Sequence, residues 1–289
     1  MRRVPGNMFA AAAAALLAGA APAIAQDSPA AGAIAHLPAL AGDYFPLQSQ
    51  AANRLYHIFV RYPEGYAAEP ERRWPVVYLL DGDSLFPLLA PQHSLLHYDE
   101  GLPEAIMVGI AYGSFDPAVN RRDYDFSAPA ADSGEHQGGA PAFLRFLKSE
   151  LMPQVERRVR ADPARRVLVG QSRGGYMILW SAMADPDLFW GRIASNPSLT
   201  PGRETLFTVP EARPQRADLG VVLVSGTRER SPERRAGALA WGERWECAAD
   251  APWQANLIDL DGGTHAASIG EAYRAAMLWL FSREAVPRR

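Results

Sequence analysis

The sequence has one cysteine, Cys247, among 289 residues. A single cysteine excludes any disulfide within the chain, so the fold must be stabilised by packing. Hydrophobic residues make up 48% of the chain, enough for a substantial core. Cys247 follows Trp241 and Trp245 at helical spacing. We expect it to be a small buried hydrophobic residue.

The sequence also lacks an excess of positive charge. It has 29 lysines and arginines and 32 acidic residues, which gives a net charge of -3 and a pI near 6.1. Such a chain has no basic field to attract nucleic acid or an anionic membrane, so we expect no nucleic-acid partner. No repeat of 20 to 50 residues is visible, which argues against solenoids and propellers.

No apolar run reaches the roughly 20 residues that a membrane span needs. The nearest is the Ala/Leu-rich stretch 9–21, which follows Arg2 and Arg3 and precedes a small-x-small site at 23–25. This pattern predicts a cleavable signal peptide over residues 1–25. We therefore expect a periplasmic or secreted protein without stable membrane insertion after cleavage.

The remaining chain is predicted to hold one domain. Residues 26–42 are rich in Ala, Pro and Gly and are expected to form a flexible lead-in to a domain over 43–289. Helices are expected over 142–159, 173–184 and 269–281, with another between the last two strands. Short apolar or alternating runs predict strands at 55–62, 76–80, 105–110, 166–169, 192–195, 221–225 and 254–260. This alternation predicts an α/β fold, a mostly parallel sheet with helices on both faces and no large cap.

The motif GQSRG at 170–174 lies between a predicted strand and a predicted helix. A serine in G-x-S-x-G at that place is typical of a sharp turn that exposes its hydroxyl above a parallel sheet. Glycines are needed there because side chains would collide at the tight bend. Ser172 is therefore the candidate nucleophile.

A serine hydroxyl needs a general base, and in this arrangement the chain order is serine, acid, histidine. Of six histidines only His265 follows Ser172, so the order selects His265 as the base. The acid should follow the strand 221–225, where Glu229 is the first carboxylate. Other carboxylates that remain candidates are Glu233, Asp259 and Asp261.

Acyl transfer also needs two N–H groups to stabilise the oxyanion. The backbone amides of Arg173, next to the nucleophile, and of Asp83, after the strand 76–80, are the candidates. We expect no metal or cofactor. Asp81 and Asp83 lack a third ligand at suitable spacing, and His93 and His97 lack the glutamate of H-E-x-x-H.

Several motifs together make the chain resemble the esterase family that includes esterase D and the enterochelin (siderophore) esterases. The segments that carry the resemblance are 75–82, 122–126, 146–153, 170–175, 185–189, 194–198 and 263–265. The resemblance implies an α/β-hydrolase that cleaves carboxylic esters without cofactor or metal, with Ser172 and His265 as catalytic residues. It implies a small-molecule ester substrate, such as a siderophore lactone or a small acyl ester. The acid varies among these relatives and some use a serine and histidine pair, so a pair without any acid also stays open.

Arg173 departs from the family pattern, which usually has an apolar residue there, and predicts a preference for an anionic or polar substrate beside the nucleophile. Two other functions are compatible with the same sequence. One is an acyltransferase of the same fold, and the other is a non-catalytic protein that binds esters.

Overall fold

A computed structural model describes residues 37–211 and 213–284. The predicted signal peptide, 1–25, and the lead-in up to residue 36 lie outside the described residues. The described end of the lead-in contains a short 3-10 helix, Pro38–Leu40, and the first residue of a strand, Gly42. None of the described helices is both long and apolar enough to cross a membrane.

One eight-stranded sheet forms the centre of the described residues, in the order β1-β2-β4-β3-β5-β6-β7-β8. The pairs β1–β2 and β2–β4 are antiparallel and all other neighbours are parallel. The strands are β1 (Gly42–Ser49), β2 (Arg54–Arg61), β3 (Trp74–Leu79), β4 (Ile106–Ala111), β5 (Ala161–Gln171), β6 (Gly191–Ser195), β7 (Gly220–Gly226) and β8 (Gln254–Leu260).

Helices cover both faces of this sheet. They are α1 (Gly82–Glu100), α2 (Arg122–Asp125), α3 (Ala140–Phe146), α4 (Met152–Arg158), α5 (Arg173–Ala184), α6 (Pro232–Trp245) and α7 (Ile269–Ser282). Buried residues of α1 and α7 form one core with one side of the sheet, and those of α3 to α6 form a second core on the other side. Strand β3 shows the division, because Val76 and Tyr78 belong to one core while Val77 and Leu79 belong to the other.

Besides the four-residue helix α2, two elements were absent from the sequence prediction. Strand β1 lies at the edge of the sheet and contains Pro46, and a proline argues against a strand unless the strand is at an edge. Helix α1 contains Pro87 and Pro91, which hide its helical pattern in the sequence. β1 is stabilised by its pairing with β2, and α1 by packing on the sheet.

The single helix predicted over 142–159 is divided into α3, a π-helical turn at Leu147–Leu151, and α4. Pro153 lies at the start of α4, where its missing N–H and its ring prevent regular α-helical bonding to the preceding turn. The wider π turn accommodates this interruption.

Cys247 is exposed, so the prediction that it is buried was wrong. Helix α6 ends at Trp245, and Cys247 lies two residues beyond this end. Trp241 and Trp245 are fully buried in the core.

Candidate active site

Ser172 lies at the sharp turn between β5 and α5, with φ 59° and ψ -113°. A Cβ added at Gly170 would approach the Gly174 backbone to 2.6 Å, and one at Gly175 would lie 3.0 Å from the carbonyl oxygen of Ser195. The Ser172 N–H donates to that Ser195 oxygen at 2.9 Å. The turn therefore requires glycine neighbours, and it holds Ser172 in a strained conformation of the kind found at functional sites.

His265 follows β8 and contacts Ser172 directly. Its Nε2 lies 3.0 Å from Ser172 Oγ, within the reach a general base needs. The loop is held by the Gln171 side-chain amide, which donates to the His265 carbonyl at 2.6 Å, and by the Thr264 N–H, which donates to Ser268 Oγ at 2.8 Å. The lone late histidine and the serine are thus brought together by the ends of two strands.

Glu229 completes the hydrogen-bonded chain, with its Oε2 2.5 Å from His265 Nδ1. Its side chain is 1% exposed. Burial alone would raise the pKa of this carboxyl, but hydrogen bonds from Arg234, the Ser231 amide and His265 together outweigh burial and lower the pKa to about 2. Glu229 is therefore ionised at neutral pH.

The other candidate acids have different partners. Glu233 accepts the Ser231 hydroxyl at 2.8 Å, and Asp259 pairs with Arg235 at 2.8 Å. Asp261 lies 3.5 Å from Thr227 Oγ1. Among the four carboxylates considered from the sequence, Glu229 is the one that the structure places against His265.

Sequence reasoning missed Asn196, which follows β6 with φ 40° and is 3% exposed. Its Nδ2 donates to the carbonyl oxygens of Thr264 and His265, each at 3.2 Å, and its Oδ1 accepts the Gly226 N–H at 2.8 Å. Asn196 therefore ties the ends of β6 and β7 to the histidine loop. Its only signal in the sequence is its membership of the motif at 194–198.

A cavity of about 270 Å³ lies beside Ser172 and His265. Arg122 lines this cavity and forms a bidentate ion pair with Asp81. Its Nε lies 2.7 Å from Asp81 Oδ1 and its Nη2 lies 2.9 Å from Asp81 Oδ2. The Arg173 guanidinium instead donates to the Thr200 carbonyl, and Arg173 is not among the residues that line this cavity. The guanidinium that lines this cavity is therefore that of Arg122, paired with Asp81, and not that of Arg173.

The two amides predicted to bind an oxyanion both lie in first turns of helices. Asp83 is the second residue of α1 and Arg173 is the first of α5. Amides in such positions have no partner within their helix, and within residues 37–211 and 213–284 neither donates a hydrogen bond. The Asp83 carboxylate accepts the N–H groups of Tyr112 and Gly113, both at 2.8 Å. Asp83 also lines the cavity beside Ser172 and His265.

The histidine pair on α1 makes structural contacts. His93 Nδ1 lies 2.7 Å from the Tyr273 hydroxyl, and burial lowers its pKa to about 4. His97 Nδ1 lies 2.7 Å from the Leu102 carbonyl oxygen. In the described part of the chain, no three His, Cys, Asp or Glu side chains are grouped so that they could hold a metal ion.

The sequence model of the family described as "Putative esterase" matches residues 49–259, well over half of the chain. The chain belongs to this esterase family. Among curated proteins it is similar to the ferri-bacillibactin esterase BesA of Bacillus subtilis, at 34% identity over 167 residues. That alignment covers 53% of this chain and 57% of BesA, so the match spans just over half of the relative's length.

Solved structures share the fold. An IroE-like serine hydrolase from Shewanella oneidensis superposes with a TM-score of 0.72 at 24% identity, over 85% of this chain and 82% of its own. The siderophore hydrolase EstB from Aspergillus nidulans gives a TM-score of 0.73 at 20% identity, over 85% and 97% of the two chains. These likenesses confirm the α/β-hydrolase fold expected from the sequence, and the described residues contain no large cap.

Proposed function

We propose that this protein is a serine carboxylic ester hydrolase that works through an acyl-enzyme on Ser172. The observation that carries the proposal is the continuous chain from Ser172 Oγ to His265 Nε2, at 3.0 Å, and from His265 Nδ1 to Glu229, at 2.5 Å. Nucleophile, base and orienting acid in that order are the arrangement that acyl transfer needs.

The hydrogen bonds assign the proton positions. Ionised Glu229 can only accept, so His265 Nδ1 carries the hydrogen and Nε2 accepts the Ser172 proton. Ser172 Oγ then attacks the ester carbonyl carbon, and the amides of Asp83 and Arg173 stabilise the oxyanion. The protonated imidazole gives its proton to the leaving alcohol. Water, deprotonated by His265, attacks the acyl-enzyme in the same way and releases the acid.

Siderophore-type lactones and small acyl esters are the proposed substrates. The names of the similar proteins support this class, since BesA is a ferri-bacillibactin esterase and EstB a siderophore hydrolase. The proposed place of action is outside the cytoplasm, and this rests on the signal-peptide pattern of residues 1–25. N-terminal sequencing of the exported protein should begin near Gln26.

The test is labelling with a fluorophosphonate probe combined with hydrolysis of p-nitrophenyl esters and a catecholate trilactone. We expect Ser172→Ala to abolish labelling and to lower kcat by about 10⁴-fold or more. The matched control is Ser282→Ala, because Ser282 is exposed at the end of α7, outside the site.

Two results would replace the proposal with another function. Ester binding without labelling or turnover by the wild type would indicate a non-catalytic binder. Acyl groups recovered on an added alcohol or sugar in preference to water would indicate an acyltransferase.

A further inference from the structure

Phe115 is a large apolar side chain left in solvent beside the candidate nucleophile. It is 75% exposed and lines the same cavity as Ser172 and His265. Other large hydrophobic residues are exposed in the described chain, among them Val119 on the same loop at 52%, but none of those lines this cavity. An isolated exposed apolar residue needs no explanation, whereas one at the mouth of a reactive cavity is a candidate contact for a ligand.

The loop that carries Phe115 is held by its own hydrogen bonds. Ser114 Oγ accepts the Asp116 N–H at 3.0 Å, and the Ser114 carbonyl accepts the Asn120 side-chain amide at 2.9 Å. The Asp116 carbonyl accepts the N–H groups of Val119 and Asn120, at 2.9 and 2.7 Å. The loop backbone that carries the ring is therefore held in place by these hydrogen bonds.

The start of the loop is hydrogen-bonded to Asp83, whose amide is a proposed oxyanion donor. Gly113 has φ 76°, and its N–H donates to the Asp83 carboxylate at 2.8 Å. A Cβ at Gly113 would come within 2.8 Å of the His57 ring, so the close approach requires glycine. Phe115 therefore lies two residues after a glycine that is bonded to Asp83, which also lines the cavity.

The rest of the lining is almost entirely polar. Apart from Phe115, Leu85 is the only apolar residue that lines the cavity within the described chain, and it is buried. The polar groups include Asp83, Asn120 and Arg122. A long alkyl chain needs a continuous apolar trough, which this wall does not provide, whereas a flat ring with polar edges can stack on Phe115 while its edge meets polar groups.

We propose that Phe115 is a specificity-determining residue that packs against an aromatic ring of the substrate close to the ester. The inference rests on the proposed ester hydrolase function. Substrates with a phenyl group beside the ester are then favoured over substrates with a cyclohexyl group of similar size.

Two matched pairs of substrates test this inference without the activated p-nitrophenyl leaving group. Ethyl phenylacetate and ethyl cyclohexylacetate place the ring on the acyl side, and benzyl acetate and cyclohexylmethyl acetate place it on the alcohol side. Hydrolysis is measured by the amount of acid released. We expect the wild type to prefer the phenyl member of at least one pair by about fivefold in kcat/KM.

Four variants separate the role of the ring from its surroundings. Phe115→Ala and Phe115→Leu should bring the preference close to one, mainly through a higher KM for the phenyl ester, and Phe115→Tyr should keep it. Val119→Ala, on the same loop but outside the cavity lining, should leave it unchanged. Because Phe115 is exposed, its removal should not unfold the protein, which circular dichroism and the rate of fluorophosphonate labelling verify.

The outcomes distinguish this inference from the proposed function. An active wild type with no phenyl preference, or a Phe115→Ala variant that retains the full preference, overturns the role of Phe115 alone. A wild type that neither hydrolyses esters nor reacts with the fluorophosphonate overturns the ester hydrolase proposal, and the inference with it.

Discussion

The two sides of the cavity are built differently. The reaction side, defined as Ser172, Asn196, Glu229 and His265, follows the parallel strands β5 to β8, and its parts are held by short hydrogen bonds between strand ends. The wall side, defined as Asp81, Asp83, Phe115, Asn120 and Arg122, follows β3 and β4 and contains an ion pair and an exposed ring. Hydrogen bonds thus fix the geometry of the reaction side, and the wall side carries the ring that we propose contacts the substrate.

This difference predicts how substitutions on each side act on kinetics. Changes on the reaction side should lower kcat, because they displace groups that act in the transition state. Changes on the wall side, apart from Asp83 with its proposed oxyanion amide, should mainly raise KM, because they remove contacts made equally in the ground state.

The largest effect in this comparison is expected at Glu229. Glu229→Ala should lower kcat by about 10³-fold, less than Ser172→Ala, because His265 then lacks the partner that sets its tautomer. Glu233→Ala is the matched control and should retain activity, since Glu233 contacts Ser231 and not His265. Equal losses in the two variants would contradict the assignment of Glu229.

The lowered pKa of Glu229 adds a pH dependence to the same residue. Its pKa of about 2 lies below the ordinary value of 4.5, so its ionised form stabilises the fold above pH 4.5. That contribution is lost as pH falls from 4.5 towards 2. Acid unfolding of the wild type and of Glu229→Gln, compared across this range, should show a smaller pH dependence in the variant.

A smaller effect is expected at Asn196. Asn196→Ala removes the bonds to the histidine loop, and a displaced imidazole should lower kcat by about ten- to a hundredfold while KM changes little. Asn196 acts here as a positioning residue. A variant that raised KM and left kcat unchanged would place Asn196 with the wall side instead. Stoichiometric but slower fluorophosphonate labelling would show that the variant is folded.

The smallest effect is expected on the wall side, at Asn120. Asn120→Ala removes the bond to the Ser114 carbonyl and should loosen the Phe115 loop, raising KM for the phenyl esters by about threefold with kcat nearly unchanged. The cyclohexyl esters are the internal control and should be less affected. A loss confined to kcat would remove the distinction between the two sides.

Local patterns were sufficient for much of the fold. Helix α5 and strand β8 have the bounds that their periodicity predicted, because each has a clear apolar pattern between turn residues. Strand β1 and helix α1 were not predicted, because each contains proline and has only a weak hydrophobic period. Tertiary structure stabilises both, β1 through its pairing with β2 and α1 through packing on the sheet. Cys247 was predicted to be buried because free cysteines usually are, but it lies past the end of α6 and is exposed.

The sequence by itself determined the order of the candidate reacting groups, a glycine-flanked serine, a later carboxylate and one late histidine. That order is informative because parallel strands bring their carboxyl ends to one edge of a sheet, so residues distant in the chain meet there. Only the tertiary structure selected Glu229 among four carboxylates, revealed Asn196 between two strands and the histidine loop, and placed Arg122 and Phe115 in the cavity wall. These contacts join residues far apart in the chain, and the distances between such residues are set by packing rather than by any local pattern.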